Sequence, residues 1–268
     1  IGGYDEKSSE RTANFFNYFT NSIVNVPSLE AAEFCKLLDN AYRDHRFAFV
    51  NQFIEFCEKN NLNLKKIVSA VNYGYSRNDI PVPSPGVGGP CLSKDPYILA
   101  DNLNKNRLDS SLIKLARNKN EKIINKIFIK IKKNLKKIKK NNKNIKIFIL
   151  GMSFKGNPDT SDMRNSSSIE LIKKLKSYKN IYVYDSLIKF NAKEIKKMKL
   201  KTTNVDNGFK NADLVILMNN HKSFSDLNIF NLLNKMNKPS IFIDTWHIFD
   251  PLEIKQIKGL KYLGLGND

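Results

Sequence analysis

Residues 145–151 read IKIFILG, and short runs of the same β-branched, apolar kind return as IYVYD (181–185), DLVILMN (213–219) and SIFID (240–244). Segments with helical spacing stand between them, among them SSIELIKKLKS (167–177) and FNAKEIKKM (190–198). Strands that alternate with helices of this length do not pair as hairpins; each needs a crossover, and the crossovers cover a parallel sheet on both faces. Residues 144–268 therefore predict a Rossmann-like α/β domain of the doubly wound kind. The turn after the first run, MSFKGNPDTSDMRNSSS (152–168), lacks the GxGxxG spacing that wraps a dinucleotide. Lys155 and Arg164 flank the crevice in which open α/β sheets bind ligands, and Ser166 is placed to cap the helix that follows. The turn reads either as a phosphate or pyrophosphate site or as an ordinary loop with surface cations.

Toward the N-terminus the alternation stops. Residues 119–146 carry much of the +19 formal charge, with Ile124, Ile127, Ile131, Leu135 and Ile138 at three- and four-residue intervals. That spacing describes an amphipathic helix with its lysines on the solvated face, and residues 119–143 read as a connector. Lys, Asn and Ile are enriched along the whole chain, so the charge reflects composition and no nucleic-acid partner is expected. Residues 29–60 hold neither Gly nor Pro and are apolar on more than one face, as in a long helix buried against other helices or a second subunit. Residues 63–72 give a shorter helix, NDIPVPSPGVGGP (78–90) a loop of fixed and unusual backbone shape, and CLSKDPYILADNL (91–103) a return to helix. Residues 27–118 thus form an all-helical domain.

The chain has 268 residues, 41% of them apolar, enough to fill two cores. No run approaches the ~18 apolar residues of a membrane span, and the N-terminus has no signal-peptide character, so a cytoplasmic protein without a membrane partner is expected. Cys35, Cys57 and Cys91 form no CxxC, and with few histidines neither a disulfide framework nor a metal site is expected.

Two places invite a chemical reading. Lys36, Asn40 and Arg43 fall on one stripe of the first long helix, where they either form internal pairs, face solvent or hold a ligand. Cys91 follows GVGGP and precedes LSKD, between a glycine loop and a helix start. A buried structural thiol is one account of it. The other is a nucleophile: glycines admit close backbone approach, a helix N-terminus favours the thiolate, and Lys94 and Asp95 supply a base and an acid in the next turn.

IGG (1–3), KLLDNAYRD (36–44), GVGGPCLSKDPYIL (86–99), GMSFKGNPDTSDMRNSSS (151–168) and YLGLGND (262–268) resemble, in order and spacing, the UDP-glucose/GDP-mannose dehydrogenase family. The resemblance covers nearly the whole chain. It implies oxidation of the C6 alcohol of a nucleotide sugar to a carboxylate in two NAD-dependent steps, with Cys91 as the nucleophile that carries the sugar. It further implies that Lys36 and Asn40 hold the oxygen at C6 and that Asp95 assists proton transfer and water activation. Gly88, Phe154 and Lys155 would lie against the sugar nucleotide, Lys94 and Arg164 toward the cofactor, and Arg77 would reach the substrate across a homodimer built on the helical domain. The family's N-terminal NAD-binding Rossmann domain, with its GxGxxG and further catalytic Thr and Glu, would be absent, residues 1–26 being its tail end. The chain would then be a fragment or split product in need of that domain. Arg43, three residues after Asn40, resembles the members that act on N-acetylhexosamine nucleotides, whereas PCLSKD is closer to the glucose and mannose types. A UDP-N-acetylhexosamine is therefore the favoured substrate and UDP-glucose the next. In DTWH (244–247) the family commonly has Arg after Asp-Thr; Trp246 there is able to stack on a base. The alternative function is a sugar-nucleotide-binding module without turnover.

Overall fold

Six helices precede the first strand among the residues described by the computed structural model, which are 1–138, 144–189, 193–198 and 200–267. They are α1 (Glu6–Phe16), α2 (Leu29–Asn51), α3 (Ile54–Lys59), α4 (Leu64–Asn72), α5 (Asp95–Lys105) and α6 (Ser111–Lys137). Asp5, Ser28 and Asn63 cap α1, α2 and α4 by accepting from the backbone amides of Ser8, Ala31 and Lys66. The single long helix expected over 29–60 is interrupted at Gln52 and Phe53. There the amide of Phe53 reaches back three residues to Val50, a tightened turn that re-aims α3.

The predicted connector belongs to a longer helix. Its stripe is buried as expected at Ile124, Ile127, Ile131 and Leu135, but α6 begins at Ser111, inside the helical domain, where it packs on α2 and α5. Residues 139–143, the far end of that expectation, lie outside the described residues, as do 190–192 at the start of FNAKEIKKM.

The sheet follows the alternation read from the sequence. Strands β1 (Lys146–Leu150), β2 (Asn180–Tyr184), β3 (Lys201–Thr202), β4 (Leu214–Leu217), β5 (Ser240–Asp244) and β6 (Leu260–Gly264) are separated by α7 (Ser167–Lys174), α8 (Lys193–Lys197), α9 (Val205–Phe209), α10 (Lys222–Ser225), α11 (Ile229–Asn234) and α12 (Pro251–Ile254). Every pair is parallel, in the order β3-β2-β1-β4-β5-β6. Successive side chains of β1 go to opposite faces: Ile147 and Ile149 join α6, α7 and the α3–α4 region in one core, while Phe148 and Leu150 join α9, α11 and α12 in another. The helical half and the sheet therefore share a core through α6. This docking sets the glycine loop and the middle of α2 over the carboxyl ends of β1 and β4, where the strand order reverses and open α/β sheets leave a crevice.

Candidate functional site

A cavity of about 400 Å³ opens at that crevice. Lys36, Asn40, Arg43 and Phe47 of α2 line one side, residues 86–92 the second, and Phe154, Lys155, Asn157, Pro158, Asn220 and Trp246 the sheet side. Cys91 therefore shares one space with Lys36 and Asn40, from a helix far away in sequence.

Asn40 is fully buried and tied on both sides. Its Nδ2 donates to Asp95 Oδ2 at 2.6 Å and its Oδ1 accepts from the Arg43 guanidinium. Asp95, also buried, takes the Lys94 ammonium on its other oxygen at 2.8 Å. That hydrogen bond and the charge of Asp95 raise the Lys94 pKa above the ordinary lysine value. Asp95 thus stands behind Asn40, outside the cavity wall. Lys36, on the neighbouring turn, makes no ion pair among the described residues. Its charge is available to a ligand.

The glycine loop has the fixed shape its composition implies. A Cβ on Gly88 would lie 2.3 Å from the carbonyl oxygen of Asn165, and one on Gly89, at φ +95°, would lie 2.6 Å from the Phe154 ring. Only glycine lets the loop lie this close to the β1–α7 turn. The contact is latched by the Gly89 amide on Asn165 O at 3.2 Å and by Asn165 Nδ2 on Ser93 Oγ at 2.9 Å. Cys91 is partly buried in the turn before α5, its carbonyl accepting from the amides of Lys94 and Asp95.

A buried polar network that the sequence reading missed clamps this loop from behind. Arg117 of α6 donates to Asp44 Oδ1 at 2.6 Å, to Leu92 O at 2.8 Å and to Val87 O at 3.0 Å. Asn120 donates to the same Asp44 oxygen, and Asn51 joins Asn120 to Ser84. Burial raises the Asp44 pKa against the lowering charge of Arg117. The signal was present: Asp44 and Asn51 prolong the stripe begun by Lys36 and Asn40, and Arg117 and Asn120 prolong the buried stripe of α6.

On the sheet side, Asp185 at the end of β2 holds the β1 turn. One of its oxygens accepts from the amides of Met152 and Ser153, at 2.7 and 3.0 Å, and from Ser153 Oγ and Asn219. The turn is thereby braced under Phe154 and Lys155. The Lys155 ammonium lies 5.6 Å from the Phe154 ring centroid and makes no ion pair among the described residues. Ser166 caps α7 as expected. Trp246, partly buried, lines the cavity, and its Nε1 donates to Met218 O at 3.0 Å.

Four residues of the expected set do not line the cavity: Asp95 and Lys94 stand behind Asn40, and Arg77 and Arg164 lie farther out. Arg77 is exposed, over the Tyr75 ring, and Arg164 is exposed and doubly bonded to Asp162; neither lines the cavity. Loop residues after α4 lead Arg77 outward, and the Asp162 pairing turns Arg164 to the outer side of the turn. Lys94 follows Cys91 by three residues, and Arg164 precedes Asn165, whose carbonyl and side chain bond to Gly89 and Ser93 of the same loop. Among the described residues no group of three His, Cys, Asp or Glu side chains forms a metal cluster, and no helix is long and apolar enough to cross a membrane.

Both halves of the chain have counterparts among known proteins. Residues 30–122 match the central domain of the UDP-glucose/GDP-mannose dehydrogenase family, and residues 148–251 match that family's UDP binding domain. The chain belongs to this family. A UDP-N-acetyl-D-mannosamine dehydrogenase of Methanocaldococcus jannaschii is 30% identical over 277 residues, covering 100% of this chain and 58% of the relative. Among solved structures, an NDP-N-acetyl-D-galactosaminuronic acid dehydrogenase of Methanosarcina mazei superimposes with a TM-score of 0.83 at 26% identity, over 100% of this chain and 57% of that one. A UDP-D-ManNAc dehydrogenase of Pyrococcus horikoshii gives 0.81 at 26% identity, over 99% and 59%. The chain thus spans less than two thirds of the length of the proteins it matches.

Proposed function

We propose that this chain is the sugar-nucleotide-binding, thiol-bearing part of a nucleotide-sugar 6-dehydrogenase, with a UDP-N-acetylhexosamine as the favoured substrate and UDP-glucose as the next. The observation that carries the reading is the meeting of Cys91, Lys36 and Asn40 in one cavity whose far wall presents Lys155 and Trp246. In this reading the Cys91 thiolate adds to the C6 aldehyde of the half-oxidised sugar, giving a thiohemiacetal. The developing alkoxide is held by the Lys36 ammonium and by the second N–H of Asn40, the first being committed to Asp95. Loss of hydride from C6 leaves a thioester on Cys91, which water cleaves to the carboxylate. Asp95 fixes the Asn40 amide from behind the cavity wall, a positioning role in place of the direct proton transfer that the resemblance implies, since Asn40 and Lys94 occupy its two oxygens.

NAD, when bound, supplies the acceptor for the hydrides. Lys94 and Arg164, exposed on the Cys91 loop and on the turn bonded to it, are the cations of this chain suited to its phosphates. The β1–α7 turn is not a dinucleotide cradle, since Asp185 already occupies the amides of Met152 and Ser153. The bulk of cofactor binding is therefore assigned to a separate NAD-binding domain.

The partner in this reading is a second copy. Phe34, Leu38, Tyr42, Phe49, Phe53 and Phe56 recur at helical spacing along α2 and α3, all exposed, and such a stripe suits a two-fold helical interface. Arg77, which stands away from this chain's cavity, is then free to reach the partner's.

The test is a fusion of a family NAD-binding domain to the N-terminus. It is expected to form NADH in the presence of a UDP-N-acetylhexosamine, and Cys91→Ala is expected to lower the rate by about a thousandfold or more. Undiminished activity in Cys91→Ala refutes the covalent role. Calorimetric binding of the sugar nucleotide without NADH formation points instead to a binding module.

A further inference from the structure

We infer that Trp246 is the platform on which the nucleobase of the bound sugar nucleotide stacks, and so the residue that reads the base end of the ligand. The inference rests on the sugar-nucleotide reading of the cavity. Three contacts order the cavity wall. Gly89, two residues before Cys91, abuts Phe154 at the end of β1; Gly156, two residues beyond Phe154, packs on Asn220 and His221 after β4; and Trp246, after β5, bonds to Met218 at the end of β4. Strand order therefore leads from the thiol, past the Lys155 ammonium and Asn220, to the indole.

The chemistry of a sugar nucleotide follows the same order. Its hexose needs hydrogen bonds and, at C6, a nucleophile; its diphosphate needs a cation; its base offers an extended π face. Three aromatic side chains line the wall, Phe47, Phe154 and Trp246; Phe154 abuts Gly89 and lies under the Lys155 ammonium, and of the other two the indole has the larger and more polarisable face. Both of its donors are already used, Nε1 on Met218 O at 3.0 Å and the backbone amide on Asp244 Oδ1 at 3.2 Å. The ring is thus fixed in place before any ligand arrives, and what it has left to offer is stacking.

Trp246 is the only tryptophan in the chain, so its emission reports this position alone. Calorimetry on the whole chain would compare UDP with inorganic pyrophosphate, which lacks a base, in the wild type, Trp246→Phe and Trp246→Ala. UDP is expected to change the tryptophan emission of the wild type as it saturates. Trp246→Ala is expected to bind UDP about ten- to a hundredfold more weakly, Trp246→Phe within about fivefold of wild type, and pyrophosphate equally in all three. Wild-type UDP binding with no change in emission overturns the inference, whatever the variants' stability. So does UDP affinity unchanged in Trp246→Ala, or a loss in Trp246→Phe as large as in Trp246→Ala, which would assign the effect to the Met218 hydrogen bond. A parallel loss of pyrophosphate affinity overturns it too. No heat from UDP in the wild type removes the sugar-nucleotide reading itself.

Discussion

Lys36 and Asn40 stand one helical turn apart and face the same cavity, yet their substitution should have different consequences. The Lys36 side chain is exposed and makes no ion pair among the described residues, so Lys36→Met leaves folding stability within about 0.5 kcal/mol of wild type. Asn40 is wholly buried between Asp95 and Arg43. Asn40→Ala strips a buried carboxylate of its amide partner and costs ~1–3 kcal/mol, measured by urea denaturation. In the fusion with an NAD-binding domain both variants lose ~100-fold or more in turnover, because each removes a donor to the alkoxide. Full turnover in Lys36→Met would show that its charge is not used at C6. These two residues were legible in the sequence because they break an apolar helix with polar groups on one stripe. Cys91 was legible for a different reason, the glycines beside it. Trp246 entered the reading as a departure from the family pattern, and its place in the cavity came only from the fold.

At the scale of elements, the glycine loop, α2 and α6 act as one body because Arg117 joins them. Replacing Arg117 with Met removes three hydrogen bonds and leaves the Asp44 charge buried beside Asn120 alone. The expected loss is ~3–5 kcal/mol of stability, seen as a lowered urea midpoint. The double variant Arg117→Met with Asp44→Leu should recover part of that loss, since no unpaired charge remains; no recovery would mean that the carbonyls of Val87 and Leu92 dominate. The strands β1, β4 and β5 were readable as continuous apolar runs that are buried on both faces, and β2 as a β-branched and aromatic run that buries Ile181 and Val183 in alternation. The edge strand β3 has only two residues, and β6 mixes Lys and Gly with its apolar positions, so neither carried a pattern strong enough to read. The extent of α6 was misjudged because its first turns, around Arg117 and Asn120, are buried through polar contacts that hydrophobic spacing does not register.

Two predictions belong to the whole molecule. His247, at φ +53°, is buried under the sheet's carboxyl edge, and that burial, with the nearby charge of Lys65, lowers its pKa from 6.5 to about 4. The folded state keeps the ring neutral where the unfolded chain takes up a proton, so this contribution is complete above pH 6.5 and is lost as the pH falls toward 4. Between pH 7 and pH 5 the wild type should lose ~2 kcal/mol more than His247→Asn, a residue that tolerates the same backbone. Parallel pH profiles for the two proteins would contradict this. The exposed stripe on α2 and α3 predicts that Tyr42→Glu or Phe53→Glu converts a dimer to a monomer in sedimentation equilibrium; a monomeric wild type would remove the proposed interface. The two-part architecture was readable from the change in periodicity near residue 144, but the shared core was not, because it depends on α6 lying along one face of the sheet.

The central claim is that Cys91 lies within reach of a sugar carbon in the cavity it shares with Lys36, Asn40, Lys155 and Trp246. Its most direct test is the rate of Cys91 alkylation by iodoacetamide, followed by peptide mass spectrometry so that exposed Cys35 and buried Cys57 serve as internal controls. A saturating UDP-N-acetylhexosamine is expected to slow modification of Cys91 by about tenfold or more while leaving Cys35 unchanged. An unchanged Cys91 rate at a concentration where calorimetry shows the ligand bound would contradict the account.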